Sequence, residues 1–222
     1  MRALIIRPSA LGDTVLLVPS LYAIGRKADV TLVGRKPGID FLKPLVTRCV
    51  DFETGGWHAL FLDKPDCKQL HLPEAEVVIS FLSNPSGTTE RNLEFLMKEI
   101  PVFTFPPFPP QGETIHVASY LASCLKNSGL PVDPDAALEQ ARKKGLLRGK
   151  EPIRPESMIV FHPGSGSKKK NLSPEFWIDL MTMRELALFE KRVLLLGPAE
   201  QEHYHVFSNK LKGTDIEIVT SP

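Results

Sequence analysis

Short apolar runs alternate with stretches of helical periodicity along almost the whole chain, and successive runs lie too far apart for hairpins. "ALIIR" (3–7), "DVTLVGR" (29–35), "AEVVISFLS" (75–83) and "PVFTF" (101–105) read as strands. Continuous apolar runs fit strands buried on both faces, and parallel neighbours need a long crossover between them. The crossovers carry the helical pattern. Val15, Leu16, Val18, Leu21 and Ile24 recur at helical spacing, "GIDFLKPLV" opens another helix, and 114–130 reads as a helix ended by Gly129. Pro19 lacks a backbone donor, so the first helix is expected to kink or restart there. This alternation predicts βαβ units and a parallel sheet.

From Arg142 to Arg154 the composition shifts: "RKKGLLRGKEPIR" holds six basic residues and a single glutamate. Such a stretch reads as a solvated linker, with contact to an anionic membrane surface as the alternative. Beyond it the pattern begins again. "SMIVFHPGSGS" is a strand running into a glycine-serine loop, and "SPEFWIDLMTMRELALF" is a helix with Ser173 as N-cap and Pro174 in first position. "KRVLLLGPAE", "EHYHVFSNKLKG" and "IEIVT" supply a strand, a helix and a final strand. The expected organisation is a Rossmann-like domain over 1–141, a basic linker over 142–156 and a second, partial Rossmann-like domain over 157–222.

Charge excludes little. Lys and Arg number 27 against 26 Asp and Glu, so no global charge argues for a nucleic-acid partner. Cys49, Cys67 and Cys124 are widely spaced and form no Cys-x-x-Cys pair, which suits a reducing cytoplasm better than a disulfide framework. The opening apolar stretch is of strand length, so a signal peptide is not expected, and no run approaches the roughly 20 apolar residues of a membrane span.

Three loops follow a strand and lead into a helix, the places where ligands collect in open α/β sheets. In "SALGD", Asp13 reads either as a helix N-cap or as a carboxylate available as a general base. "HPGSGSKKKN" (162–171) reads either as a site for an anionic diphosphate or as a solvated basic turn. In "LLLGPAEQE" (194–202), Glu200 or Glu202 could accept hydrogen bonds from ribose hydroxyls, or be an exposed glutamate at a helix start. No Gly-x-Gly-x-x-Gly follows the first strand, and the second strand ends in the basic "TLVGRK", which argues against a nicotinamide-dependent oxidoreductase. His203 and His205 are two apart and fall on different helix faces, so no metal site is read. His116 and His162 are taken as structural.

Taken in order, "LIIRPSALGDTVLLVPSL", "IVFHPGSGSKKKNLSPEFW" and "VLLLGPAEQE" resemble the family 9 glycosyltransferases, the ADP-heptose:lipopolysaccharide heptosyltransferases and their relatives. The resemblance implies an α/β, GT-B-like fold with two Rossmann-like parallel-sheet domains. It implies inverting transfer of a heptose from ADP-heptose to a lipopolysaccharide inner-core acceptor, with no metal and no cofactor beyond the ADP-sugar donor. Asp13 matches the motif aspartate regarded as the base. Lys170, with Lys169 as a shift of register, matches the lysine that steadies the leaving diphosphate. Gly164 and Ser165 take the phosphate-facing positions, and Glu200 the ribose contact, with Glu202 as alternative. Leu172 stands where members often carry an aromatic. Members also carry a downstream Asp-x-Gly-Pro-x-His motif, and this sequence stops at Pro222 before it, so the resemblance implies an incomplete second domain. A nucleotide- or acceptor-binding remnant of the same fold is the alternative reading. A cytoplasmic location with peripheral contact to the inner membrane follows from such an acceptor.

Overall fold

The computed structural model describes residues 1–64, 70, 72–82, 86–144, 158–165 and 170–220, with only the backbone of Ala199. Its two compact units are Met1–Arg148 and Gly149–Pro222.

In the first unit, β1 (Arg2–Ile6), β2 (Asp29–Gly34), β3 (Arg48–Asp51), β4 (Val77–Ser80) and β5 (Val102–Thr104) form one parallel sheet in the order β3-β2-β1-β4-β5. The central strand β1 pairs Ile5 with Leu32 on one side and with Ile79 on the other. Side chains alternate across a strand, so β1 feeds two cores. Ala3 and Ile5 meet Leu21, Leu121 and Leu125 on one face, while Leu4 and Ile6 meet Trp57, Leu60 and Leu93 on the other. Residues 3–6 are accordingly buried throughout, which explains the unbroken apolar run.

Helices cover both faces. α1 (Leu11–Val15) stops and α2 (Val18–Ile24) restarts with Pro19 in its first turn, as expected where a proline lacks the donor needed to continue. α3 (Gly38–Leu42) passes into a 3-10 turn at Lys43–Leu45. The sequence reading did not identify β3, α4 (Thr88–Met97) or α6 (Pro134–Lys143). β3 is an edge strand with Arg48 exposed, so it lacks the buried-strand pattern. α4 is polar in sequence, and buried Asn92 holds it by donating from Nδ2 to the carbonyls of Leu60 and Leu62, each at 2.9 Å.

α5 (Val117–Asn127) begins three residues inside the expected 114–130 helix, because His116 caps it: its ring Nδ1 accepts from the Ala118 amide at 3.1 Å. Gly129 follows the helix with φ +85°, a left-handed conformation that suits glycine. Asp133 Oδ1 caps α6 by accepting from the Ala136 amide at 2.8 Å. Arg142 and Lys143, placed in the linker by composition, are the last residues of α6, and 145–156 lie outside the described residues. Cys49 and Cys124 are free thiols, and Cys67 lies outside the described residues.

The second unit has β6 (Met158–Phe161), β7 (Lys191–Leu196) and β8 (Ile216–Thr220), parallel and in sequential order. α7 (Pro174–Met181) and α8 (Tyr204–Lys210) pack with them around Phe161, Met181, Leu194 and Phe207. α7 is shorter than the sequence pattern suggested, its C-terminal continuation being a 3-10 turn at Arg184–Leu188. Ser173 caps it as expected, with Oγ accepting from the Phe176 amide at 3.3 Å.

Candidate active site

An open parallel sheet forms a crevice at the carboxyl ends of its strands where strand order reverses. In the first unit this switch point lies between β1 and β4, neighbours in the sheet that are distant in sequence. The loops leaving β1 and β5 meet there around a pocket of about 560 Å³. Arg7, Asp13, Arg35, Phe52, Phe81 and Phe108 are among its walls.

Asp13 is the third residue of α1, half-buried and on the pocket wall. The residue in the N-cap position is Ala10, and no side chain caps this helix, so the capping reading of Asp13 is overturned. Among the described residues, no side chain or amide is bonded to its carboxylate. A carboxylate at this place is free to accept a proton from a hydroxyl entering the pocket.

Beneath it lies a residue the sequence reading passed over. Arg7 follows β1 directly and is 1% exposed. Its Nη1 donates to the Pro107 carbonyl at 2.8 Å, and its Nε makes a longer contact of 3.5 Å with the Asp13 carbonyl. The guanidinium carbon sits 5.4 Å from the centre of the Phe81 ring and 5.7 Å from that of Phe108, within cation–π range. Among the described residues, buried Nη2 has no partner. Burial pushes the guanidinium below its ordinary value, while the nearby Asp13 charge acts in the opposite sense. The signal was present in "LIIRPS": a charged residue ending an otherwise apolar buried strand needs a reason to be there.

The same loop is fastened a second time. Tyr120 of α5 donates from its hydroxyl to the Pro106 carbonyl at 2.9 Å, and burial, with a bond to Cys124, raises its pKa. Across the pocket, Arg35 and His58 both hold Glu53, at 2.6 and 3.1 Å. The bond from Arg35, then that from His58, keeps the Glu53 carboxyl below its usual range.

In the second unit, the loops after β6 and β7 bring Gly164, Ser165 and Glu200 into one place. A Cβ on Gly164 would lie 1.9 Å from Glu200 Oε1, so the two residues are in direct apposition. Glu200 is 5% exposed, and its Oε2 accepts from the Gly197 amide at 2.9 Å. His162 is held by the Leu195 carbonyl at 3.0 Å, bracing the same two loops. Ser165 Oγ donates to Asn171 Oδ1 at 2.7 Å. Lys170 is exposed just ahead of the α7 N-cap, whereas Lys169 lies outside the described residues. Glu202 is exposed, 3.7 Å from His203. Among the described residues no three His, Cys, Asp or Glu side chains gather as a metal site would need. Nor is any described helix long and apolar enough to cross a membrane.

Neither a family model nor a curated protein matches the chain. Solved structures do. E. coli heptosyltransferase WaaC with ADP matches over 99% of this chain and 75% of its own, at 15% identity and a TM-score of 0.63. The same enzyme with ADP-2-deoxy-2-fluoro heptose matches at 17% identity and 0.63, covering 99% of this chain and 76% of its own. E. coli ADP-heptose LPS heptosyltransferase II matches at 16% identity and 0.57, over 99% of this chain and 72% of its own. At such identities the likeness is one of fold, and it agrees with the resemblance carried by the three motifs: this chain has the α/β, GT-B-like fold of the heptosyltransferases.

Proposed function

We propose that this chain is an inverting glycosyltransferase that moves a heptose from ADP-heptose to a lipopolysaccharide inner-core acceptor. One observation carries the reading: in a chain with a heptosyltransferase fold, Asp13, whose carboxylate is unbonded among the described residues, lines a pocket at the switch point of the first sheet. Asp13 takes the proton of the acceptor hydroxyl as its oxygen attacks the anomeric carbon from the face opposite the diphosphate. The bond from that carbon to the diphosphate oxygen breaks, and its electron pair leaves with ADP. A general base of this kind contributes about 10²–10⁴ in rate.

The donor side belongs to the second unit. Gly164 and Ser165 present backbone donors to the diphosphate, and Lys170, with Lys169 beside it in sequence, neutralises the charge that grows on the leaving group. Glu200 is assigned to the ribose hydroxyls, with the more exposed Glu202 as the alternative. The donor is a substrate, so the reading calls for no cofactor, no metal and no nucleic acid. An acceptor anchored in the inner membrane places the protein at its cytoplasmic face, in peripheral contact.

The test is transfer of heptose from ADP-heptose to a core acceptor lacking it, in the wild type and in Asp13→Ala. Transfer is expected to vanish in the variant while ADP binding stays nearly unchanged. Loss of ADP affinity in Asp13→Ala would put this carboxylate on the donor side and end its assignment as base.

A further inference from the structure

A buried arginine is costly unless its charge and donors are matched, so its position requires a cause. Arg7 is a buried residue that joins the two loops bordering the pocket. Its Nε contacts the carbonyl of Asp13, in the first turn of α1, and its Nη1 grips the carbonyl of Pro107, 100 residues further on. The rings of Phe81 and Phe108 flank the guanidinium and limit where it can move. Pro106 and Pro107 lie in "FPPFPP", a segment with little backbone freedom, so a grip on one carbonyl fixes much of the loop. Tyr120 fixes its neighbouring carbonyl from the other side.

We propose that Arg7 is the positioning residue of the Asp13 pocket, a planar fork that ties the helix carrying the base to the proline loop forming the facing wall. The inference rests on the assignment of Asp13 as base. Its physical content is separation: the distance from base to wall decides whether an acceptor hydroxyl lies within reach of the carboxylate. A misplacement of about 1 Å can cost on the order of 10²-fold in rate. The geometry calls for arginine rather than lysine. A guanidinium presents several donors in one rigid plane, whereas an ammonium is a single charge on a flexible stem and cannot hold both carbonyls in the same directions.

Two measurements on Arg7→Lys, with Arg7→Met beside it, test this. The first is hydrogen exchange followed on peptides spanning 9–16 and 103–113, the second covering the gripped loop, in the intact chain. Exchange at both segments is expected to quicken together in Arg7→Lys. Quickening at one segment only, or at neither, overturns the tie. The second is steady-state transfer. Both variants are expected to lose about 10- to 100-fold in kcat, with the KM for the ADP-sugar and the affinity for ADP within twofold of wild type. A kcat within twofold of wild type in either folded variant overturns the positioning role.

Should circular dichroism show that both Arg7 variants fail to fold, Pro107→Gly decides. It leaves Arg7 in place and loosens only the gripped loop, and kcat is expected to fall severalfold with donor KM unchanged. Unchanged kcat there also counts against the proposal. If the wild-type chain transfers no heptose, the enzymatic reading fails by itself, and the exchange experiment still decides whether Arg7 ties the two loops.

Discussion

Glu200 occupies the space that a side chain on residue 164 would need: a Cβ there would come within 1.9 Å of Oε1 and 2.6 Å of Oε2. The glutamate is held in that place by the Gly197 amide, so the loops after β6 and β7 are built against each other through one carboxylate. This explains a glycine at 164 by close approach rather than by backbone conformation, since its φ is not among the positive values.

Gly164→Ala should therefore expel Glu200 from its bond and leave the Gly197 amide without its partner, a loss of about 1–3 kcal/mol. The cost should shrink when Glu200 is first replaced by Ala, because the clash then has no second member. Thermal melts of the two single variants and the double variant check this through the coupling between the sites. Strictly additive effects would show that the apposition carries no energy.

Replacing Asp13 by Asn loses no capping bond, so any fall in melting temperature should trace to Arg7, whose charge Asp13 offsets. Transfer should fall by about 10²–10⁴. A fall in stability of about 1 kcal/mol, the usual worth of an N-cap, that persists when Arg7 is replaced by Met would return Asp13 to a structural role.

Asp133→Ala and Ser173→Ala remove side chains that do cap helices, α6 in the first unit and α7 in the second. Each should cost about 0.5–2 kcal/mol. The comparison with Asp13→Asn in the same melts separates carboxylates and hydroxyls that hold helices from one that does not.

The Glu53 cluster gives a pH dependence with a definite sign. Its carboxyl titrates lower when folded than the ordinary 4.5 because Arg35 and then His58 bond it. The unfolded chain thus binds the proton more readily, and the stabilising contribution is present above about pH 4.5 and lost as pH falls through the folded value. The difference in melting temperature between wild type and Glu53→Gln should be largest near neutral pH and vanish at strongly acid pH. The pair is exposed, so the difference will be small and reduced by salt.

The strands were legible where burial is total. "ALIIR" overlaps β1 over residues 3–6 and "AEVVIS" contains β4, interior strands whose every side chain but Arg2 is enclosed. β3 escaped notice because an edge strand keeps "RCVD" half in water, and α4 because its polar sequence hides Asn92, whose bonds are with residues 30 and 32 positions away. Among the candidate site residues, the loops that hold Asp13, Gly164, Ser165, Lys170 and Glu200 could be singled out because strand–loop–helix transitions are local patterns. The choice of Gly164, Ser165 and Lys170 within their loop came from the family resemblance. Arg7 was marked in sequence only as a charge ending an apolar strand; its partner Pro107 lies 100 residues away, and neither sequence neighbourhood names the other.

Isothermal titration of ADP into the wild-type chain, Lys170→Ala and Asp13→Asn tests the central claim most directly, because it asks which unit holds the nucleotide. ADP should bind the wild type, bind Asp13→Asn within twofold as tightly, and bind Lys170→Ala about 10-fold more weakly, the worth of a charge-assisted contact. Absence of binding to the folded wild type, or binding lost in Asp13→Asn and kept in Lys170→Ala, would contradict the assignment of donor and base to their separate units.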